Sequence, residues 1–292
     1  MQLIRSLLFI AFGGGTAAIA ASLVLLTFWA PSRVQWAITR GYCRLAVRAG
    51  HFFCGMEPVV EGLENLPDEP SVIMIKHTST LETYWHVTIF PKTAWVIKRE
   101  VMYVPVLGWA MKLMLDPIFI NRSAGRSAVK QVIKEGKKKL DQGIWVTIFP
   151  EGTRMPPGET RRYGVSGAAL ARDAGCKIVP VAHNAGDFWG RRSIIKKPGK
   201  VRFCIGPPVD AAGRDPKETN LIVQDWVETK MHEISEDYKT QAREDASKVW
   251  APARDERPIA TREPLLRIRY QILTRSSGGR YRASASATSN AS

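Results

Sequence analysis

Ser71-Val72-Ile73-Met74-Ile75-Lys76-His77-Thr78-Ser79-Thr80-Leu81-Glu82 passes from an apolar run to polar residues and then to the start of a helix. The run follows the turn at Pro67–Pro70 and reads as a buried strand. Ser79 or Thr80 offers the N-cap of a helix entering Leu81-Glu82-Thr83-Tyr84-Trp85. Comparable short apolar runs recur at 93–97, 118–120, 144–149, 178–181 and 201–205. Helical patterns separate several of them: a basic amphipathic stretch from Ser123 to Gln142 and an Ala-rich one from Gly164 to Ala174. Strands alternating with helices predict an α/β fold, a central mostly parallel or mixed sheet covered by helices on both faces.

Two positions in the opening stretch carry chemistry. His77 stands two residues past a strand and just before a helix N-terminus, a common place for reactive groups in α/β proteins. Glu82 lies in the first helical turn, within reach of the imidazole, where it would fix the tautomer so that the other ring nitrogen takes a proton. The same spacing, Ser79-x-x-Glu82, is also a capping box, in which Glu82 bonds backbone and does no chemistry. Spacing does not choose between them. Downstream, Phe149-Pro150-Glu151-Gly152-Thr153-Arg154 closes a strong strand. Pro150 ends the ladder, Gly152 permits a tight turn, and Arg154 offers a planar fork suited to phosphate oxygens.

The two blocks in this order resemble the glycerolipid acyltransferase family, of the 1-acylglycerol-3-phosphate acyltransferase type, whose members carry His-x4-Asp followed by Phe-Pro-Glu-Gly-Thr-Arg. The second block matches; the first has Glu82 where the family has Asp. Asp116-Pro117-Ile118-Phe119-Ile120-Asn121-Arg122 resembles a middle block that has Gly at the Asp116 position, and Val179-Pro180-Val181 resembles the last one. The resemblance implies that His77 is the general base and Glu82 its orienting carboxylate. It implies that Arg122, Glu151, Gly152, Thr153 and Arg154 bind the acceptor's phosphate. The implied reaction moves an acyl chain from acyl-CoA or acyl-carrier protein to the free hydroxyl of 1-acylglycerol-3-phosphate, giving phosphatidic acid. It needs no cofactor and no metal, and His51, His77, His86, His183 and His232 show no metal-ligand spacing. The resemblance covers about residues 57 to 210.

Three segments follow from composition: a membrane segment (1–55), a catalytic domain (56–250) and a basic tail expected to be disordered (251–292). No charge interrupts Leu7 to Ala30, whose 24 residues make about 36 Å of helix, enough to cross a bilayer core. A cleaved signal peptide ending at Ala18-Ile19-Ala20 is the rival reading. Residues 34–54 form a second helix with Arg40, Arg44 and Arg48 on one face, suited to an anionic lipid surface. Arginines after the apolar run predict an inner-membrane protein with its catalytic domain facing the cytoplasm. The net charge of +15 suits an acidic partner such as anionic lipid or a phosphorylated substrate. Cys43, Cys54, Cys176 and Cys204 are scattered and read as reduced thiols. Membrane lipids, lysophosphatidic acid and the acyl donor are the expected partners. Two alternatives remain at this stage: an acyltransferase for another lyso-lipid, and a non-enzymatic basic module binding membrane or nucleic acid, of which nucleic acid is not expected.

Overall fold

The computed structural model describes residues 1–104, 107–121, 124–156 and 158–249. The chain opens with α1 (Gln2–Leu26) and α2 (Ser32–Cys54), then β1 (Met56–Glu61), β2 (Val72–Ile75), α3 (Leu81–Ile89), β3 (Thr93–Lys98), α4 (Leu107–Leu115) and β4 (Ile118–Ile120). It continues through α5 (Arg126–Leu140), β5 (Trp145–Ile148), α6 (Ser166–Ala174), β6 (Lys177–His183), α7 (Ala185–Phe188), β7 (Gly199–Ile205) and β8 (Val209–Asp210). Two helices close the described chain, α8 (Pro216–Ile234) and α9 (Glu236–Val249). The tail expected from 251 onward lies outside the described residues.

The strands form one mixed sheet in the order β1-β7-β6-β2-β5-β3-β4, with β8 beside β6. All pairings are parallel except those of β6 with β7 and with β8. Each of the six apolar runs read from sequence is a strand. The two strands that reading missed carry weak signals. In β1, Glu57 and Pro58 interrupt the apolar pattern, and the strand sits at the sheet edge, where a proline is tolerated. β8 has only two residues.

Strand alternation divides the core between two faces. Val72, Met74, Val146, Ile148 and Ile178 pack with residues of α5, α6 and α8. Ile73, Ile75, Trp145, Val179 and Val181 pack with Leu81 and Trp85 of α3 and with Phe9 of α1. Lys76 therefore leaves β2 toward the α8 side and His77 toward the α3 side.

The N-terminal helices are built onto this sheet. Gln2 Nε2 donates to the carbonyls of Lys196 (2.6 Å) and Cys54 (3.2 Å), Arg5 Nε to Phe53 O, and the Lys196 amide to Ser6 Oγ. At the opposite end, Gln35 Nε2 donates to the carbonyls of Thr27 and Ala30, and Lys92 Nζ to Ser32 Oγ. Phe9 and Val24 are buried, each burial contributing about 1.5–3 kcal/mol. Arg40 does not join Arg44 and Arg48 in the solvent; its Nη2 donates to Thr88 O in the last turn of α3, a favourable place for a cation. The outer surface of α1 is a continuous apolar face including Leu3, Ile4, Leu7, Leu8, Ile19 and Leu23. Phe28, Trp29 and Phe52 add large exposed apolar side chains, 70%, 77% and 76% exposed.

Candidate active site

β2 lies between β5 and β6, parallel to both, with Met74 opposite Ile148 on one side and Pro180 on the other. Three residues further along these strands stand His77, Glu151 and His183, level with one another at the carboxyl ends: His77 and Glu151 lie just past β2 and β5, and His183 is the last residue of β6. This is how blocks some seventy residues apart in sequence come to share one site.

His77 Nδ1 lies 2.6 Å from Glu82 Oε1, a short charge-assisted hydrogen bond. The Glu82 side chain is wholly buried, while that of His77 keeps 16% of its surface exposed. With Glu82 ionised, Nδ1 carries the proton and donates it. Nε2 then presents its lone pair and has no hydrogen-bond partner among the described residues. Phe149 lies against the imidazole, ring centroids 4.0 Å apart. The capping box is not formed. Thr80 is the N-cap of α3, Ser79 Oγ donates to Trp189 O and accepts from the Leu81 amide, and Glu82 turns to the imidazole instead.

Lys76 and His77 have all four of their backbone polar groups occupied. The Lys76 amide donates to Val181 O (3.1 Å), and Lys76 O accepts from His183 Nε2 (2.7 Å). The His77 amide donates to Glu151 Oε2 (2.9 Å), and His77 O accepts from the Met155 amide (2.7 Å). Glu151 departs here from the expected acceptor-binding role. Its side chain is buried, with Oε1 2.6 Å from Lys76 Nζ and Oε2 on the His77 amide, so it supports the turn from within. Burial raises its carboxyl to about 7, against the downward pull of Lys76 and the His77 amide.

The rest of the block meets open space. Gly152 adopts φ +69°, the left-handed turn expected of it. Thr153 and Arg154 follow, half-buried. Arg154 forms no ion pair among the described residues, and its Nε is buried without a partner. It lines a cavity of about 380 Å³ whose other walls are mostly apolar, with Ala17 and Ala21 of α1, Cys43 of α2, Val87 of α3 and Met111 and Met114 of α4, and with the hydroxyls of Thr39, Thr80 and Thr83 among them. A second cavity of about 380 Å³ opens beyond β3, β4 and β5, walled by Phe149 and Val132 and rimmed by Arg161 and Arg162. Arg122 lies outside the described residues. Asp116, where the family has Gly, has φ +43°, and its carboxylate pairs with Lys139 at 2.7 Å. Asp is among the few side chains that tolerate the left-handed region, which accounts for the substitution.

The family model described as Acyltransferase matches residues 57–184, which hold both blocks. The 1-acyl-sn-glycerol-3-phosphate acyltransferase of Pseudomonas aeruginosa is 40% identical over 245 residues, 80% of this chain and 93% of that protein. The chain belongs to this acyltransferase family. A Saccharomyces cerevisiae 1-acyl-sn-glycerol-3-phosphate acyltransferase is 32% identical over 174 residues, 58% of this acyltransferase and 55% of the yeast protein. The fold matches the crystal structure of the 1-acyl-sn-glycerophosphate acyltransferase of Thermotoga maritima with a TM-score of 0.66 at 23% identity, covering 80% of this chain and 97% of that one.

Four residues that hold the acyltransferase's site escaped the sequence reading: Lys76, Met155, His183 and Glu228. His183 was reachable by counting three residues on from Pro180, as His77 is three on from its partner Met74, once the register is known. Lys76 carried a weak local signal, a lysine continuing a wholly buried strand. The thiols are no candidates for a covalent acyl-enzyme: burial pushes Cys43 and Cys204 up to about 12 and Cys176 up to about 11.

Proposed function

We propose that this acyltransferase transfers an acyl chain from a thioester, acyl-CoA or acyl-carrier protein, to the free hydroxyl of 1-acylglycerol-3-phosphate at a membrane surface. The observation that carries the proposal is the His77–Glu82 pair with a free Nε2, next to a block whose Arg154 is an unpaired cation at an apolar cavity. Nε2 takes the acceptor's hydroxyl proton as its oxygen attacks the thioester carbonyl. The tetrahedral intermediate collapses, the C–S bond breaks, and the imidazolium returns its proton to the leaving thiolate. Phosphatidic acid and a free thiol result. The test is acceptor-dependent thiol release from acyl-CoA with the detergent-purified chain, followed by acyl-carrier protein as donor. Release that does not depend on lysophosphatidic acid, or none with either donor, refutes the proposal.

Arg154 is assigned to the acceptor's phosphate. Arg154→Ala should raise KM for lysophosphatidic acid by roughly 10- to 100-fold, corresponding to a charge-assisted hydrogen bond of about 1.5–3 kcal/mol. Steady-state titration of the acceptor checks this. The apolar cavity suits an acyl chain. Ala21 lines it from α1, so Ala21→Phe should shift the preferred donor or acceptor toward shorter chains. A chain-length series would then show long-chain KM rising while short-chain KM holds.

Membrane association rests on the apolar outer face of α1. A 25-residue helix is long enough to cross, yet the start of α1 is tied to Lys196 O and the turn after it to Gln35 of α2, whose own first residue bonds Lys92, so we assign it to one leaflet, lying along the domain. A helix that does not cross removes the premise of the positive-inside argument. The cytoplasmic side follows instead from the donors, which are cytoplasmic thioesters.

A further inference from the structure

Lys76 is buried beneath the catalytic turn, and acyl transfer as written above gives it nothing to do. Its ammonium lies 2.6 Å from Glu151 Oε1, 2.9 Å from Glu228 Oε1 on α8, 3.2 Å from Glu159 O, and 5.3 Å from the centre of the Tyr238 ring. Glu228 is held in turn. Tyr163 Oη donates to its Oε1 (2.7 Å), and the Tyr238 hydroxyl, with one proton to give, lies 3.0 Å from its Oε2 and 2.8 Å from Glu159 O. Burial and the Glu228 charge push both phenols above their ordinary range, so they remain donors. The other end of the chain of contacts is Glu151, whose second oxygen accepts from the His77 amide.

We propose that Lys76 and Glu228 are positioning residues for catalysis, holding the Glu151 carboxylate, and through it the His77 turn, at the geometry acyl transfer requires. One cation between two carboxylates fixes both. Without it the carboxylates repel, one takes a proton or turns away, and the His77 amide loses its fixed acceptor. His77 then loses one of the four backbone bonds that aim its imidazole. Misplacement of a reacting group by about 1 Å costs on the order of 10²-fold in rate. The arrangement also explains why α8, remote in sequence, is part of the site.

This inference rests on the acyl-transfer reading for its consequence, and its test has an arm that does not. In folded Lys76→Met, amide hydrogen exchange across residues 72–82 should quicken while the β7 and α6 segments keep their protection. In the thiol-release assay, kcat should fall on the order of 10²-fold, with KM for lysophosphatidic acid within about threefold. Glu228→Gln, milder because the amide oxygen still accepts, should give a smaller loss of the same kind and covers the case in which Lys76→Met fails to fold. Combining Lys76→Met with Glu151→Gln should cost no more kcat than the worse single variant, since both act through one hydrogen bond. Unchanged exchange at 72–82 in whichever variant folds overturns the inference, as does quickened exchange with kcat retained. Losses that multiply in the double variant would assign Lys76 to a separate path and overturn it equally. Wild-type protein without turnover would refute acyl transfer and the catalytic consequence together, while the exchange arm still decides whether Lys76 holds the turn.

Discussion

His77→Ala should lower kcat for acceptor-dependent thiol release by about 10²- to 10⁴-fold, the range that a positioned general base supplies. The substitution has a second consequence that the fold makes explicit. Glu82 is wholly buried, and its Oε2 already lacks a partner among the described residues. Removing the imidazole leaves a buried carboxylate with nothing to pair it, at a cost of about 1–3 kcal/mol or more in stability. The double variant His77→Ala with Glu82→Gln should therefore recover melting temperature without recovering activity. Thermal unfolding and initial rates on the three proteins check both halves. Substantial turnover in His77→Ala would sink the base assignment. A double variant no more stable than the single would refute the account of Glu82 as an ion held by the imidazole.

Glu82→Gln alone should also cost about 10²- to 10⁴-fold in kcat, while melting temperature changes little. A carboxylate on Nδ1 admits one tautomer only, with the lone pair on Nε2. A carboxamide also admits the opposite one, in which its N–H₂ donates to Nδ1 and Nε2 carries the proton. The comparable change in the serine-protease triad costs about 10⁴-fold for that reason. Had Glu82 capped α3, the signs would be reversed: activity retained and about 0.5–2 kcal/mol of stability lost. Glu82→Asp restores the residue that the family carries. On this backbone it withdraws the carboxylate by one methylene from a 2.6 Å contact, and an intermediate rate is expected.

Much of the fold was legible because its signals are local. The strands from 71 to 205 are short buried runs, and a parallel sheet covered on both faces requires near-continuous apolar sequence. The helix after His77 showed through its N-cap residues, and the apolar start through the absence of charge. β1 was hidden because an edge strand tolerates Glu57 and Pro58. The site was legible in its parts and not in its wiring. Glu82 had two readings at one spacing, and Glu151 stood in a phosphate-binding block yet turns inward. Glu228 had no local mark, since nothing in α8 indicates that Tyr163, Tyr238 and Lys76 converge on it.

The sequence by itself determined the alternation of strands and helices, the two chemical blocks and their order, and the apolar surface of α1. These are properties of neighbouring residues, written in periodicity and in the conformational limits of Pro and Gly. Tertiary structure alone decided that Glu82 bonds the imidazole, that Glu151 bonds Lys76 and the His77 amide, and that the start of α1 is tied to the domain. Those outcomes depend on sheet register, which sets His77, Glu151 and His183 at one level, and on strand alternation, which sends Lys76 to one face and His77 to the other. A charge taken out of water must find its partner across that geometry, and no local rule of sequence specifies which partner is there.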